Sequence, residues 1–558
     1  MNLVCKLFTT AICFSSALIA LEDRQPLNLP SQEMKGQHEI LATDLKGVSV
    51  IGEKGWVRDT HEYGITIRQL NLPAPEDTLQ RLLEPFLGSP VTEESIYRIK
   101  EAIIQFYRRY DYPIVFIEVP SQKVSDGFLT LRVHQGKLGE IRSTGNKHFK
   151  NERLIGYIQA KPNQPVDIEC LIKDLEWMNR NPFRQTNSIF TPSAQNGLTD
   201  IELVTEDRFP LRVYAGADNT GIRDTGRTRY FAGFNWGNAF GLDHILSYQF
   251  TSGSNYNNYY SHSVNYTAPL SWRHTLVLYG GYSHVKADLD TPNQRTKGYS
   301  AQASMRYEIP LPTWRDYLHD FLFGFDYKRT NTSIDQDGDL FFDRSVNVTQ
   351  FVLGYNGGYE TSWYKVSGTI EAYVSPGDWL PDQSRSRYES LREGADNTYI
   401  YTRIAVAPTF CLPYDFSIES RFRMQLSSTN LLASEQYGLG GWDTVRGYQV
   451  REVNDDNVVI LNIEFRSPPI HVIRKLKRKS LEDKLIFLVF WDYAYGWNHE
   501  TFPGETNHDN LMGVGPGVRY FIGPNITFRG DLGYKVWQPV FSDNHTRWRF
   551  EFGVVASY

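Results

Sequence analysis

The chain is poor in cysteine and, after its first residues, has no long hydrophobic run. Four cysteines occur in 558 residues, at Cys5, Cys13, Cys170 and Cys411, and no CxxC pair exists. The first two fall in a segment expected to be removed and the other two are far apart in sequence. A disulfide between them is not expected, and a metal centre would have too few soft ligands. No run of eighteen apolar residues follows residue 20, which excludes a helical membrane protein. The 13 histidines are scattered without ligand spacing, and GxSxG, HExxH and phosphate-binding glycine loops are missing. No enzyme, catalytic residue, metal or cofactor is therefore expected. A net charge of −6 gives no dense basic surface, so a nucleic-acid partner is not expected either.

Aromatic residues, by contrast, are plentiful. They make up 14% of the chain (34 Tyr, 32 Phe, 12 Trp), beside 43 Gly and a mean hydropathy of −0.43. That mixture suits membrane β-barrels, which carry aromatic girdles and tightly packed strands. Residues 1–20 read as a signal peptide, with Lys6 as the positive head and a mostly apolar stretch from Leu7 to Ala20. The stretch is short for a span of about twenty residues. Residues 21–46 are polar and contain proline, and are taken as a linker or possible plug segment.

Two small α/β modules are expected next, over 47–136 and 137–207. In the first, Gly64–Leu70 alternates as a strand, and Asp77 is placed to cap a short helix. Thr92 caps a longer helix whose apolar face is Ile96, Ile99, Ile103 and Phe106. Strands Ile114–Val119 and Phe128–Val133 follow, joined by Asp126-Gly127. The second pass repeats the order, with a strand at Gly139–Ser143, helices around Leu154 and over Asp167–Met178, and strands near Ser188–Thr191 and Thr199–Thr205. Exposed strand edges in such modules can accept an extended guest through backbone hydrogen bonds.

From residue 208 to 558 the helical period gives way to alternation. Phe422, Met424 and Leu426 share one face while Arg421, Arg423 and Gln425 share the other. Likewise Val459, Leu461, Ile463 and Phe465 oppose Asn462, Glu464 and Arg466. One face suits lipid and the other a polar lumen. The last segment places Trp548, Phe550, Phe552 and Tyr558 on one side, and the chain ends on that aromatic. About sixteen antiparallel strands are expected. The connection from the eleventh to the twelfth, near Asn430–Asn457, is unusually long, and loops of that length are commonly functional. Asp335, Asp337 and Asp339 look like the opening of a calcium loop, but glycine is misplaced at Gly338 and no closing glutamate follows. The basic run Arg474–Lys479 reads as a solvated turn.

The β-α-α-β-β order, twice, with Gly136-Lys-Leu-Gly-Glu-Ile141 leading to Gly145-Asn146, resembles polypeptide-transport-associated (POTRA) domains. The long loop carries Val445-Arg446-Gly447-Tyr448 after Gly440-Gly441, and Phe490-Trp-Asp492-Tyr-Ala494 lies further on. With these, the chain resembles the two-partner secretion transporters (TpsB) of FhaC/ShlB/HecB type in the BamA-like outer-membrane superfamily. The resemblance implies a loop folded back into the barrel, with Arg446 as a latch meeting Asp492 beside Phe490 on the inner wall. Alternation agrees, placing Phe490, Asp492 and Ala494 inward. Ala494 stands where the family has glycine. The resemblance also implies a porin-like channel exporting a TpsA-like client, powered by client folding outside. It further implies Phe550, Phe552 and Tyr558 as the signal to the barrel assembly machinery, POTRA modules in the periplasm, and outer-membrane lipid around a monomer. A BamA-like factor inserting β-barrels into the outer membrane is the alternative.

Overall fold

The computed structural model describes residues 40–558 except 56–61, 111, 113, 196–197, 223–224, 289–293, 315–316, 337–338, 476–481, 504 and 540–545. The expected signal peptide, most of the 21–46 segment, the middle of the aspartate run and the centre of the basic run lie outside the described residues. The chain divides into two compact units, Met1–Phe209 and Pro210–Tyr558.

In the first unit, one module comprises β1 (Gly47–Gly52), β2 (Gly64–Arg68), α1 (Glu76–Leu83), α2 (Glu93–Arg109), β3 (Val115–Glu118) and β4 (Phe128–Gln135). Its sheet order is β2-β1-β4-β3, with β1 parallel to both neighbours. Sequence reasoning missed β1. It is a central parallel strand buried at every position but one, so it lacks the alternation that marks a half-exposed strand. Helix α1 begins one residue before Asp77, at Glu76 behind Pro75, and has no side-chain cap. Asp77 therefore acts from the first turn, where a negative charge favours the helix dipole. Thr92 does cap α2, and reciprocal hydrogen bonds with Ser95 form a capping box. The buried faces of α1 and α2, through Leu79, Leu83, Ile99 and Ile103, pack on Val48 and Leu131 of the sheet.

The other module has one strand fewer, with β5 (Lys137–Thr144), α3 (Asn151–Ile155), α4 (Ile168–Met178), β6 (Arg184–Pro192) and β7 (Leu198–Asp207). Its sheet runs β5-β7-β6, so β5 and β6 are both edges.

The second unit is a closed barrel. Its strands are β8 (Leu211–Asp218), β9 (Arg229–Ala239), β10 (His244–Gly253), β11 (Tyr259–Pro269), β12 (Thr275–Asp288) and β13 (Gln294–Pro310), then β14 (Tyr317–Gln336), β15 (Asp339–Glu360), β16 (Tyr364–Pro376), β17 (Thr398–Cys411) and β18 (Ser417–Ser427). A small hairpin, β19 (Tyr437–Leu439) with β20 (Val453–Asp455), interrupts the series. The wall resumes with β21 (Asn457–Arg466), β22 (Asp483–Trp497), β23 (His508–Ile522), β24 (Ile526–Lys535) and β25 (Trp548–Ser557). Sixteen strands pair antiparallel with their neighbours around the wall, the number expected from the alternation. Each neighbour supplies the backbone hydrogen bonds that lipid cannot, so closure is what lets these strands cross a bilayer. Phe465, Phe487, Val489 and Phe550 project outward, whereas Arg423, Asn462, Glu464 and Asp492 are buried inside.

At the end of the barrel where β8 begins and β25 ends, successive turns carry the exposed aromatics Phe240, Trp272, Trp314, Trp363 and Tyr414. The Trp and Tyr rings, which carry a polar edge, favour the boundary between hydrocarbon and water, so this row forms one aromatic belt.

The closing seam is thin. β25 pairs with β8 through five register positions, Gly553–Ser557 against Asp218–Tyr214. Beyond these, Tyr558 and Val213 exchange two backbone bonds of 2.9 Å. On the other side of the register the Asn219 amide donates to the Phe550 carbonyl (2.7 Å) and accepts from the Phe552 N–H (2.9 Å). Two such bonds are worth about 1–3 kcal/mol together. Asn219→Ala is therefore expected to lower the temperature at which the folded barrel converts to the slow-migrating form on SDS gels. An unchanged midpoint would mean that the seam does not limit barrel stability.

Candidate functional site in the barrel lumen

The connection between β18 and β21, residues 428–456, is the long loop anticipated between the eleventh and twelfth strands, and it occupies the inside of the barrel. Its hairpin β19–β20 is continued by a reversal at Gly440–Thr444, where the Thr444 hydroxyl accepts from the Gly440 N–H (2.7 Å) and lies 2.8 Å from its carbonyl. The tip then delivers Val445, Arg446, Gly447 and Tyr448 to the wall, and Val445, Arg446 and Tyr448 are all buried.

Arg446 meets Asp492 of β22 by a bidentate contact, donating from Nε to Oδ2 (2.7 Å) and from Nη2 to Oδ1 (2.8 Å). The Arg446 backbone N–H adds a third bond to Oδ2 (3.0 Å), so the carboxylate grips the loop backbone as well as the side chain. The guanidinium carbon lies 3.6 Å from the centroid of the Phe490 ring, a cation–π contact. The third nitrogen, Nη1, reaches Glu464 on β21 (2.5 Å) and approaches Asp531 on β24 (3.6 Å). Asn462 donates to Asp492 Oδ1 (2.7 Å) and to the Thr444 carbonyl (2.6 Å). Lysine could not reproduce this, because its point charge lacks the planar fork. With side-chain exposures of 2% for Arg446 and 0% for Asp492, removing one partner strands a desolvated charge, at a cost of about 3–5 kcal/mol.

Tyr448 fixes the other side of the tip. Its hydroxyl donates to the Trp537 carbonyl and accepts from the Met512 N–H (3.1 Å). The Lys535 ammonium sits 4.9 Å from the Tyr448 ring and pairs with Glu452 (2.8 Å). Val445 and Tyr448 pack with Ala494, Val458 and Leu511, so the position where the family has glycine faces an apolar cluster that holds one methyl group.

Two glycines make this docking possible. Gly447 has φ +97°, a conformation that strains any other residue, and its backbone lies against Gly533 of β24. A Cβ at Gly533 would collide with the Gly447 backbone.

Arg446 and Asp492, with Phe490, are thus together. Phe550 and Phe552 stack outward on β25, ring centroids 6.1 Å apart, and Tyr558 lies at the seam, remote in role from the loop tip. Sequence reasoning did not single out Glu464 and Asp531 as partners of Arg446, nor Asn462 as a partner of Asp492. Two of them were already legible as inner-face residues of β21, but only the register Asn462↔Asp492 sets them side by side. It also missed a second anchor at the root of the loop. Glu435 is fully buried and receives Lys328 of β14 through both oxygens (2.9 and 2.8 Å), together with the Tyr401 hydroxyl (2.9 Å). Lys328 and Glu435 are far apart in sequence, so no local pattern signals the pair.

A transmembrane β-barrel with POTRA modules ahead of it and a long loop folded into its own lumen defines the outer-membrane protein-transport class. The comparisons narrow this. The family model for haemolysin secretion/activation protein ShlB/FhaC/HecB matches residues 197–520, more than half the chain, and that for the ShlB-type POTRA domain matches residues 65–136. The chain belongs to the ShlB/FhaC/HecB family. It is 21% identical over 460 residues to the heme/hemopexin transporter protein HuxB of Haemophilus influenzae (strain 86-028NP), covering 80% of this chain and 78% of the relative. It is 25% identical over 187 residues to the hemolysin transporter protein ShlB of Serratia marcescens, covering 33% of this chain and 32% of the relative. Among solved structures, CdiB from Escherichia coli has the same fold, with a TM-score of 0.74 at 15% identity over 100% of this chain and 98% of that one. The family is one of outer-membrane protein exporters, and the barrel places this chain in that membrane.

Gly533→Val is expected to free the loop tip as Arg446→Ala does, read as faster labelling of a cysteine placed at the buried Thr444. Protection equal to the parent's would show that the close approach to Gly533 is not needed. Asp455 at the end of the hairpin gives a second test. Its carboxylate is buried with neither oxygen partnered among the described residues, and burial, then Asp509 and Asp456, push its pKa up to about 8 against the pull of Arg392. The docked loop thus holds a proton that a solvated Asp455 would lose above about pH 4, and docking weakens as pH rises from there to about 8, then levels off. Thr444 cysteine labelling should accelerate over that range, and Asp455→Asn should flatten the response.

Proposed function

We propose that this protein is a pore that exports a large TpsA-like partner protein from the periplasm to the cell surface or medium. Its POTRA modules capture the client, and the loop of residues 428–456 gates the pore. The observation that carries the reading is the Arg446–Asp492 pair, a bidentate, backbone-assisted contact that holds a loop where a client would have to pass. The exposed edges β2, β3, β5 and β6 support capture, since an unfolded chain can add as a strand without a defined side-chain sequence. In this reading the POTRA modules lie in the periplasm, the long loops face outward, and the chain works as a monomer in outer-membrane lipid. Phe550, Phe552 and Tyr558 serve as the signal to the assembly machinery.

The five-position seam between β25 and β8 favours the second reading, a BamA-like factor that inserts β-barrels into the outer membrane, because a thin seam offers a sideways route into lipid. Deleting the gene separates the two. Loss of one secreted protein supports export, whereas broad loss of outer-membrane barrels supports insertion. Arg446→Ala is expected to cut secretion of the client strongly while the barrel still assembles in the outer membrane. Undiminished secretion by this variant would sink the gating role.

A further inference from the structure

Three connections at the end of the barrel opposite the start of β8 and the end of β25 meet at one side chain. They are residues 377–397 between β16 and β17, the loop 428–456, and residues 498–507 between β22 and β23. Arg392, on the first, donates from Nη1 and Nη2 to the two oxygens of Asp456 (2.6 and 3.1 Å). It also reaches Glu505 through Nε (2.9 Å), Asn498 Oδ1 through Nη2 (2.9 Å) and the Leu431 carbonyl through Nη1 (2.6 Å). One guanidinium therefore holds both roots of the long loop, at Leu431 and Asp456, as well as the third connection. The pair is largely desolvated, with side-chain exposures of 10% for Arg392 and 0% for Asp456. The backbone adds to the knot. Ala395 forms a β-bridge with Asn430, and the Asn430 amide exchanges two bonds with the Glu500 backbone (2.9 and 2.7 Å).

The first connection also covers the inner wall. It contains a short helix, α5 (Arg385–Glu389), whose buried Tyr388 donates to the Asn347 carbonyl on β15 (3.0 Å). Gln383 and Thr349 hydrogen-bond each other, and Asn347 donates to the Pro381 carbonyl (2.6 Å). Tyr388, Ala395, Leu431 and Leu432 share one apolar cluster with Val346 and Val348 of that wall. The connection is thus packed inward against β15 and tied to the loop that carries Arg446, while making none of the contacts to Arg446 itself. Asp455 sits beside this knot as a buried carboxyl with no hydrogen-bond partner among the described residues, so the closed arrangement contains a destabilising element next to its lock.

We propose that residues 377–397 and 428–456 form a lid of two leaves held by two locks, and that Arg392 is the outer lock, a positioning residue whose contact with Asp456 on the other leaf must part before the pore opens. The proposal rests on the gating reading above. The competing possibility is a fixed hinge, in which the knot stays closed while the Arg446 tip swings out alone.

Ion conductance of the purified full-length protein in planar bilayers separates these without any client. Arg392→Ala is expected to raise the open-to-closed ratio roughly tenfold or more, and Arg392→Lys, which keeps the charge and loses the fork, by less. Persistence of the folded, fast-migrating form on unheated gels confirms that the barrel is intact. Unchanged conductance in a folded Arg392→Ala barrel would overturn the proposal. The second variant pairs Ala395→Cys with Asn430→Cys, whose backbones are bridged and so within disulfide reach, with Cys170 and Cys411 changed to serine. Placed in an Arg446→Ala background, its oxidised form should hold conductance at the closed level and reduction should release it. Equal conductance in the oxidised and reduced forms would establish the fixed hinge and overturn the lid. If the crosslink closes the channel but leaves client secretion in cells intact, the lid stands and the export reading falls.

Discussion

The docked loop tip inside this barrel is arranged around one positive charge withdrawn from water. Arg446 satisfies its guanidinium on Asp492, Glu464 and the Phe490 face, and the wall in turn supplies two carboxylates that would otherwise repel each other. Neither side is stable alone in that confined space, since an unpaired buried charge costs several kcal/mol. The loop and the wall are therefore each the other's condition for a settled lumen. The supporting details follow from the need to bring a loop backbone within hydrogen-bond reach of a β-sheet face. A glycine stands on each side at Gly447 and Gly533, a short side chain at Ala494, and an amide at Asn462 spans loop and wall.

The barrel was legible because lipid and lumen impose opposite demands on alternate residues. On β21, Val459, Leu461, Ile463 and Phe465 face out while Asn462 and Glu464 face in, and the sequence alternates accordingly. The module helices were legible through their caps and apolar faces, as Thr92 and Ile99 illustrate. Strand β1 was not, because a central parallel strand has two apolar faces and no period of two. The Arg446–Asp492 pairing came from resemblance, not from spacing. Its further partners required the strand register, which shifts every side chain to the other face when it slips by one residue. Lys328 with Glu435 and Arg392 with Asp456 join segments distant in sequence, and nothing local announces them.

The two anchors of the long loop differ in kind. At its roots Asp456 is held by Arg392 where several connections converge and Glu435 by Lys328 from the wall, whereas Arg446 and Tyr448 hold its tip against a regular sheet face. A loop restrained at both roots and tip has little conformational freedom left, so its closed geometry loses little further entropy on docking. Release of the tip alone would return only part of that freedom.

The strands β14 and β15 run for 20 and 22 residues, about twice the nine to eleven that cross a bilayer. Their surplus lies at the end away from the start of β8 and the end of β25. The hydrogen-bonded ladder continues between them to Gln336↔Asp339, with one register shift at Ile334/Asp335, so this surplus is a two-stranded ribbon. The rim of the barrel is consequently lopsided, with a paired ribbon of strand over one arc and connections folded inward over another. A chain leaving an exporter with such a rim has a firm surface to lean on along one side and open water along the other.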